Sequence, residues 1–359
     1  MRVPLGVLDQ SPVISGHSAT EAIAETVSLA RLAEELGYRR YWLAEHHAIA
    51  ALADPSPEIL VSRVACATSR IRVGTGGVLL PYYSPLKIAE QFRMLEALFP
   101  GRIDLGIGRA PGGDPRTALA LADGEYPGAE HMPQQVQDLI GFLDRTLPAG
   151  HPYVKVKAQP AGDTSPEIWL LGSSDYGGAL AAQLGLRFAF AHFISAFGGE
   201  AVARAYRDQY QASEREPRPW SLVCVFVICA KTRAEAERLA RRGLGFRLYY
   251  IRDIAASIGL GDAEARELAA RQPEMLRAIF QGREPWAPSP EVADRLIEHL
   301  TLTADRGGLD ACVGRLLEFE RAGLNEIALA PHGDPAAAIK LIGEAVIPVV
   351  DHAGASRVP

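Results

Sequence analysis

The chain alternates between short apolar runs and longer segments whose apolar residues recur at helical spacing. The part between Ile71 and Gly113 shows this unit most clearly, because two apolar runs that end in glycines flank a helical pattern from Pro85 to Leu98. Short apolar runs separated by a helix are typical of parallel strands that are buried on both faces. The pattern therefore predicts a strand–helix–strand unit within a larger parallel sheet.

Eight such runs occur along the chain, and helical patterns separate most of them. The predicted strands are Val3–Asp9, Tyr38–Ala44, Ile71–Thr75, Ile103–Ile107, Ile168–Leu171, Arg187–Ala191, Leu222–Ala230 and Glu326–Ala330. Ser18 or Thr20 is expected to cap the first helix. Eight strands alternating with helices predict an α/β fold, the (β/α)8 TIM barrel.

Two insertions are expected, after strands 4 and 7 of this barrel. Residues His151–Lys157 alternate with period two, which predicts an extra strand outside the parallel sheet. Residues 249–290 break the alternation and are rich in proline near their end, which favours a lid over the barrel mouth. We expect residues 1–359 to form one domain, because barrels often run past about 250 residues as one domain.

The residues that directly follow the strands should share one mouth, because the carboxyl ends of parallel strands meet there. They are Asp9, Glu45, His46, His47, Gly76, Gly77, Arg109, Ser173, Ser174 and His192. A guanidinium at this position suits a phosphate. The alternative for Arg109 is a surface arginine paired with Asp104 or Asp114.

Gly172, Ser173 and Ser174 precede a helical pattern. The hydroxyls of the two serines and the free backbone N–H groups of this segment can bind an anion at the start of the helix. In the alternative interpretation, Ser174 or Asp175 only caps the helix. Asp175 would repel a phosphate, so we expect its side chain to cap the helix and point away.

Composition narrows the class of protein. The net charge of −6 argues against a nucleic-acid partner. No apolar run of about 18 residues and no signal-peptide pattern occurs, so a cytoplasmic protein without a membrane segment is expected. The four cysteines are scattered without metal-ligand spacing, and we expect buried free thiols and no metal site.

Four segments together resemble the luciferase-like flavin-dependent monooxygenase family, of which bacterial luciferase is a member. They are Trp42–His47, Gly76–Pro81, Pro100–Gly112 and Leu171–Asp175. The resemblance implies a barrel that binds FMN, supplied as reduced FMNH2 by a separate flavin reductase. It implies a monooxygenase that uses O2 to oxygenate a small organic substrate, and a homodimer.

The resemblance also implies roles for individual residues. Arg109, Ser173 and Ser174, next to Gly172, match the phosphate-binding residues of the family. Gly76 and Gly77 match a non-proline cis peptide bond beneath the flavin ring, and Asp9 and His192 are expected near the cofactor. His46 matches the histidine near the flavin, flanked by Glu45 and His47, and these three are the catalytic candidates. Gly108 replaces a cysteine of luciferase, which weakens any expectation of light emission.

The role of His46 has an alternative at this stage. A histidine near pKa 6.5 can exchange protons during catalysis, but it can also simply pack at a strand end. Two other functions also remain open, namely a deazaflavin-dependent dehydrogenase on the same fold and a non-catalytic flavin-binding protein.

Overall fold

The computed structural model describes residues 3–14, 16–125, 128–195, 199–240, 301–304, 309–331 and 333–353, with scattered positions between 261 and 294. Most of the predicted lid at 249–290 lies outside the described residues. Among the helices of the described ranges, none combines the length and the apolar character needed to cross a lipid bilayer.

The parallel strands close into a barrel. In chain order they are β1 (Leu5–Asp9), β2 (Arg40–Leu43), β3 (Arg72–Leu79), β4 (Ile103–Gly108), β5 (Glu167–Gly172), β6 (Arg187–Ala191), β7 (Ser221–Cys229), β8 (Thr301–Ala304) and β9 (Glu326–Pro331). Strands β1 to β7 pair in sequence order, and β9 pairs with both β7 and β1 to complete the ring of eight. The predicted TIM barrel is confirmed.

Strand β8 was not predicted. It pairs in parallel with the last residues of β7, Phe226–Cys229, beyond the part of β7 that pairs with β6. A four-residue strand at the margin of the ring carries too little periodicity to be recognised in the sequence.

Helices surround the barrel. They are α1 (Ala19–Glu35), α2 (Pro57–Ala67), α3 (Pro85–Leu98), α4 (Pro115–Leu121), α5 (Met132–Asp144), α6 (Asp175–Gln183), α7 (Gly199–Asp208), α8 (Leu309–Arg321), α9 (Pro335–Ala345) and α10 (Ile347–Ala353). Residues 233–240 are also helical. Ser18, not Thr20, caps α1: its side chain accepts the backbone N–H of Glu21, and the Glu21 carboxylate accepts the N–H of Ser18 in return.

Two expectations require correction. Residues His151–Lys157 form turns instead of a strand, held by local bonds such as Val154 N–H to the carbonyl of His151. Alternation alone predicted the strand, but no described neighbour pairs with this segment. Among the four free cysteines, Cys224, Cys229 and Cys312 are buried as expected, whereas Cys66 is exposed on α2.

The barrel interior is built in three layers. At the amino ends of the strands, Arg40 is fully buried between Asp104 and Glu326, with its Nε 2.7 Å from a Glu326 oxygen. Above this charged layer lie large apolar side chains, among them Trp42 and Trp169, whose rings meet edge to face at 5.2 Å. The charged layer and the aromatic layer together close the bottom of the barrel.

The third layer, at the carboxyl ends of the strands, contains small residues from several strands. Ala44 and Ala330 belong to the inner cluster, and the strand alternation places Gly76, Gly108 and Ala191 on the same face. These residues fill little volume, whereas Phe226 of β7, which pairs with Ala330, is a large side chain of the inner cluster at the same level.

Candidate functional site

Glu45 joins three elements at the mouth. Its buried carboxylate accepts the backbone N–H of Leu79 at 2.8 Å and the hydroxyl of Tyr83 at 2.6 Å, and it pairs with His47 Nε2 at 2.7 Å. The backbone N–H of His47 in turn donates to the carbonyl of Gly112 at 2.8 Å. Glu45 therefore fixes the position of His47 and ties the end of β2 to the end of β3.

His46 lies between these two residues in the chain, and its surroundings differ from theirs. Trp42 and Ala44 face the barrel interior, and the same alternation along the chain turns His46 inward. Its Nδ1 is buried without a hydrogen-bond partner among the described residues. Burial, with a smaller contribution from His47, lowers the pKa of His46 to about 4. The imidazole is therefore neutral at pH 7, and the sequence-based assumption of a pKa near 6.5 is wrong because it neglected burial.

The glycines of β3 expose backbone at the mouth. The Gly76–Gly77 peptide bond is cis, as the resemblance implied. A Cβ atom on Gly76 would lie 2.6 Å from Cδ1 of Leu8, and one on Gly77 would lie 2.5 Å from the carbonyl oxygen of Gly106. Both positions therefore exclude larger side chains.

Arg109 follows β4 and is exposed. Its guanidinium carbon lies 4.6 Å from the ring centroid of Tyr176, and it makes no ion pair with any described residue. The alternative pairing with an aspartate fails, since Asp104 is bound to arginines of the charged layer and Asp114 caps α4 by accepting the N–H of Arg116 at 2.7 Å. The Tyr176 contact brings Arg109 to the first turn of α6.

Ser173 and Ser174 lie at the same place, where β5 ends and α6 begins. Ser174 occupies the capping position, but its side chain makes no capping hydrogen bond, so the interpretation that it only caps the helix is wrong. Asp175 caps the first turn as expected, because its Oδ1 accepts the N–H of Tyr176 at 2.9 Å. Gly172 lets α6 approach β5, since the Cβ that it lacks would lie 3.2 Å from the Cα of Gly177.

Two predicted mouth residues have side chains in the outer layer, between the sheet and the helices. Asp9 is buried and accepts the hydroxyl of Tyr41 at 2.6 Å and the N–H of Ser11 at 2.7 Å, and burial raises its pKa. The buried ring of His192 packs edge to face against Phe319 of α8 at 5.4 Å. The expectation that their side chains face the mouth is wrong, because both lie on the outward alternation of their strands.

The structure adds Asp54, which the sequence analysis did not identify. Its carbonyl accepts the N–H of His46 at 3.2 Å, its Oδ1 accepts the N–H of Ser56 at 2.9 Å, and its buried Oδ2 has no hydrogen-bond partner among the described residues. Burial, with repulsion from Asp9 and other nearby carboxylates, raises the pKa of Asp54 to about 7. In the sequence, Asp54-Pro-Ser-Pro has only the appearance of a turn before a helix, and so it gave no signal of this environment.

Three comparisons with known proteins agree on the family. The family model for luciferase-like monooxygenase matches residues 3–326. A luciferase-like monooxygenase of Escherichia coli strain K12 is 43% identical over 238 residues, covering 66% of this chain and 70% of that protein. The N-acetyl-S-alkylcysteine monooxygenase of Bacillus subtilis strain 168 is 39% identical over 241 residues, covering 66% and 70%.

A solved structure shares this fold over nearly the whole chain. The crystal structure of apo-MsnO8 is 34% identical and superposes with a TM-score of 0.75, covering 95% of this chain and 98% of that one. The sequence resemblance, the closed barrel and these matches lead to one conclusion: the chain belongs to the luciferase-like monooxygenase family and is an oxidoreductase of the oxygen-incorporating kind.

Proposed function

We propose that this protein is an FMN-dependent monooxygenase that takes reduced FMN (FMNH2) from a separate flavin reductase and uses O2 to oxygenate a small organic substrate. The observation that carries the choice of FMN is Arg109, an exposed arginine without an ion pair among the described residues, held over the first turn of α6. The unused hydroxyls of Ser173 and Ser174, with the N–H groups of that turn other than the Tyr176 N–H, which Asp175 accepts, complete a set of donors that suits a terminal phosphate.

The layer of small residues fits a planar ring system at the mouth. Gly76 and Gly77 present backbone there, and Ala44, Gly108 and Ala330 leave room above the aromatic layer. Reduced flavin would supply the electrons and the activation of O2. The protein residues would bind the phosphate, orient the ring and exclude water.

In this proposal, the catalytic candidates have different roles. His46 is neutral at pH 7, so it can donate an N–H hydrogen bond or accept a proton at its unpartnered Nδ1. Glu45 fixes His47 and the end of β3 through the bonds described above, so it acts by positioning. Asp9 and His192 would support the mouth through their buried packing.

The phosphate assignment is tested by comparing FMN with riboflavin, which lacks the phosphate. Arg109→Ala should weaken FMN binding about tenfold to a hundredfold, the usual range for a lost charge-assisted hydrogen bond. Riboflavin should bind the variant and the wild type equally. Arg116→Ala, which removes an exposed arginine of α4, is the matched control and should leave both dissociation constants unchanged. Unchanged FMN binding by Arg109→Ala would refute the assignment.

Binding and activity assays together separate the competing functions. A deazaflavin-dependent dehydrogenase would bind a deazaflavin cofactor more tightly than FMN, and it would reduce or oxidise its substrate without consuming O2. A non-catalytic flavin-binding protein would bind FMN and form no product. N-acetyl-S-alkylcysteines are a reasonable first substrate class to assay, since a 39% identical relative is named for them.

We also propose that residues 1–359 act as one domain in a homodimer. Ile59 of α2 and Met94 and Leu98 of α3 are large apolar side chains, each more than half exposed, on two helices that pack side by side. Met94 and Leu98 are four residues apart and so share one face of α3, and a shared apolar face is typical of an interface. Sedimentation of the purified protein should give a dimer mass, and Met94→Glu should yield monomers.

A further inference from the structure

Arg109 differs from the other arginines that stack on aromatic rings in the described part of the chain. Arg40, Arg187 and Arg315 also stack on rings, but each of them is paired with at least one carboxylate. Arg109 stacks on Tyr176 at 4.6 Å and pairs with none of the described carboxylates. Packing against that one ring therefore holds its guanidinium in place.

A ring face can hold a guanidinium without using its hydrogen-bond donors. The attraction acts through the face of the guanidinium plane, whereas the N–H groups point outward along its edge. A free arginine side chain would lose rotamer freedom on binding an anion, and this cost weakens the binding. A guanidinium that is already held against a ring loses less rotamer freedom when the anion binds.

The position of Tyr176 is itself set by α6. It is the second residue of that helix, its backbone N–H donates to Asp175 Oδ1, and its side chain is 43% exposed. Tyr176 therefore belongs to the same helical turn whose N–H groups we have proposed as phosphate donors, next to Ser173 and Ser174. This arrangement brings the charge of Arg109 and the donors of α6 to one place.

We propose that Tyr176 is a positioning residue that holds Arg109 ready for the phosphate, and that it thereby contributes to the preference for phosphorylated over unphosphorylated flavin. The inference rests on the proposed function, because it assumes that Arg109 binds the FMN phosphate. Tyr176 acts through its ring face, and its hydroxyl is not required.

The test measures dissociation constants of FMN and riboflavin for Tyr176→Leu and Tyr176→Phe. Tyr176→Leu should weaken FMN binding about two- to fivefold, the effect expected of an exposed cation–π contact, and should leave riboflavin binding unchanged. Tyr176→Phe keeps the ring face and should bind both ligands as the wild type does. Because the side chain is exposed, both variants should keep the wild-type melting temperature.

The double variant separates this inference from the phosphate assignment. In an Arg109→Ala background, Tyr176→Leu should cause no further loss of FMN affinity. If Arg109→Ala weakens FMN binding and Tyr176→Leu does not, the phosphate assignment stands and the positioning role is wrong. Equal weakening of FMN and riboflavin, or an equal loss in Tyr176→Phe and Tyr176→Leu, would also overturn it. If Arg109→Ala itself leaves FMN binding unchanged, the proposed function fails first.

Discussion

Replacing Asp54 by asparagine should change how the stability of this protein depends on pH. In the folded state the pKa of Asp54 is raised to about 7 from its ordinary 3.8, chiefly by burial. Such a group favours the folded state when it is protonated, and that contribution is lost as the pH rises towards the folded-state pKa. Wild-type protein should therefore pay an increasing penalty at Asp54 between about pH 4 and about pH 7.

The size of the effect follows from the shift. Each pKa unit corresponds to about 1.4 kcal/mol, so the penalty at Asp54 grows by about 3 kcal/mol between pH 5 and pH 8. At roughly 2.1 cal/mol/K of unfolding entropy per residue, 359 residues give about 0.75 kcal/mol/K. Asp54→Asn should therefore gain about 4 °C in melting temperature relative to wild type on going from pH 5 to pH 8.

The comparison between variants isolates Asp54 from other groups. The pKa of His46 is lowered to about 4, so this residue makes the folded state less stable as the pH falls through the same range. Its effect on stability is therefore opposite in sign to that of Asp54, and it is present in both proteins. The asparagine amide, if unpaired, costs about 1–3 kcal/mol at every pH and cancels in the difference. Asp114→Asn is the control, since Asp114 is a half-buried helix cap whose pKa is lowered by the N–H and hydroxyl groups from which it accepts hydrogen bonds.

Thermal unfolding at about pH 5 and about pH 8 measures the effect. If the melting temperatures of wild type and Asp54→Asn differ by the same amount at both pH values, Asp54 does not titrate abnormally. The raised pKa of Asp54 would then be wrong.

Three further predictions follow from packing and charge. His46→Ala should keep the wild-type FMN affinity while product formation falls on the order of a hundredfold, and near-normal turnover would rule out proton transfer by this residue. Gly106→Ala should lower the melting temperature strongly because its Cβ would lie 2.1 Å from the carbonyl oxygen of Thr75, whereas Gly108→Ala, with its nearest atom at 3.4 Å, should melt like wild type. Equal melting temperatures for these two variants would contradict the packing at the mouth. Arg40→Met should lower the free energy of unfolding by about 3 kcal/mol in urea titrations, because the buried carboxylates of Asp104 and Glu326 lose the arginine between them. Each keeps one less buried arginine, Arg72 or Arg39, and a loss below about 1 kcal/mol would contradict the prediction.

The barrel and the location of its mouth can be predicted from the amino-acid sequence alone. Apolar runs that alternate with helical patterns are sufficient for this, since parallel strands buried on both faces need helices outside them. The same pattern placed Arg109 at the end of β4, and Ser173 and Ser174 at the end of β5. The contact between Arg109 and Tyr176, by contrast, joins residues that are far apart in the chain.

The side of each strand that faces the barrel interior, by contrast, is set by tertiary packing. Both faces of these strands are apolar, so the sequence does not distinguish a residue that points inward from one that points towards the helices. For this reason Asp9 and His192 were expected at the mouth, whereas their side chains lie in the outer layer. The pKa values of His46 and Asp54 were beyond prediction for a related reason, since burial and neighbouring charges set them, and both depend on how distant segments pack.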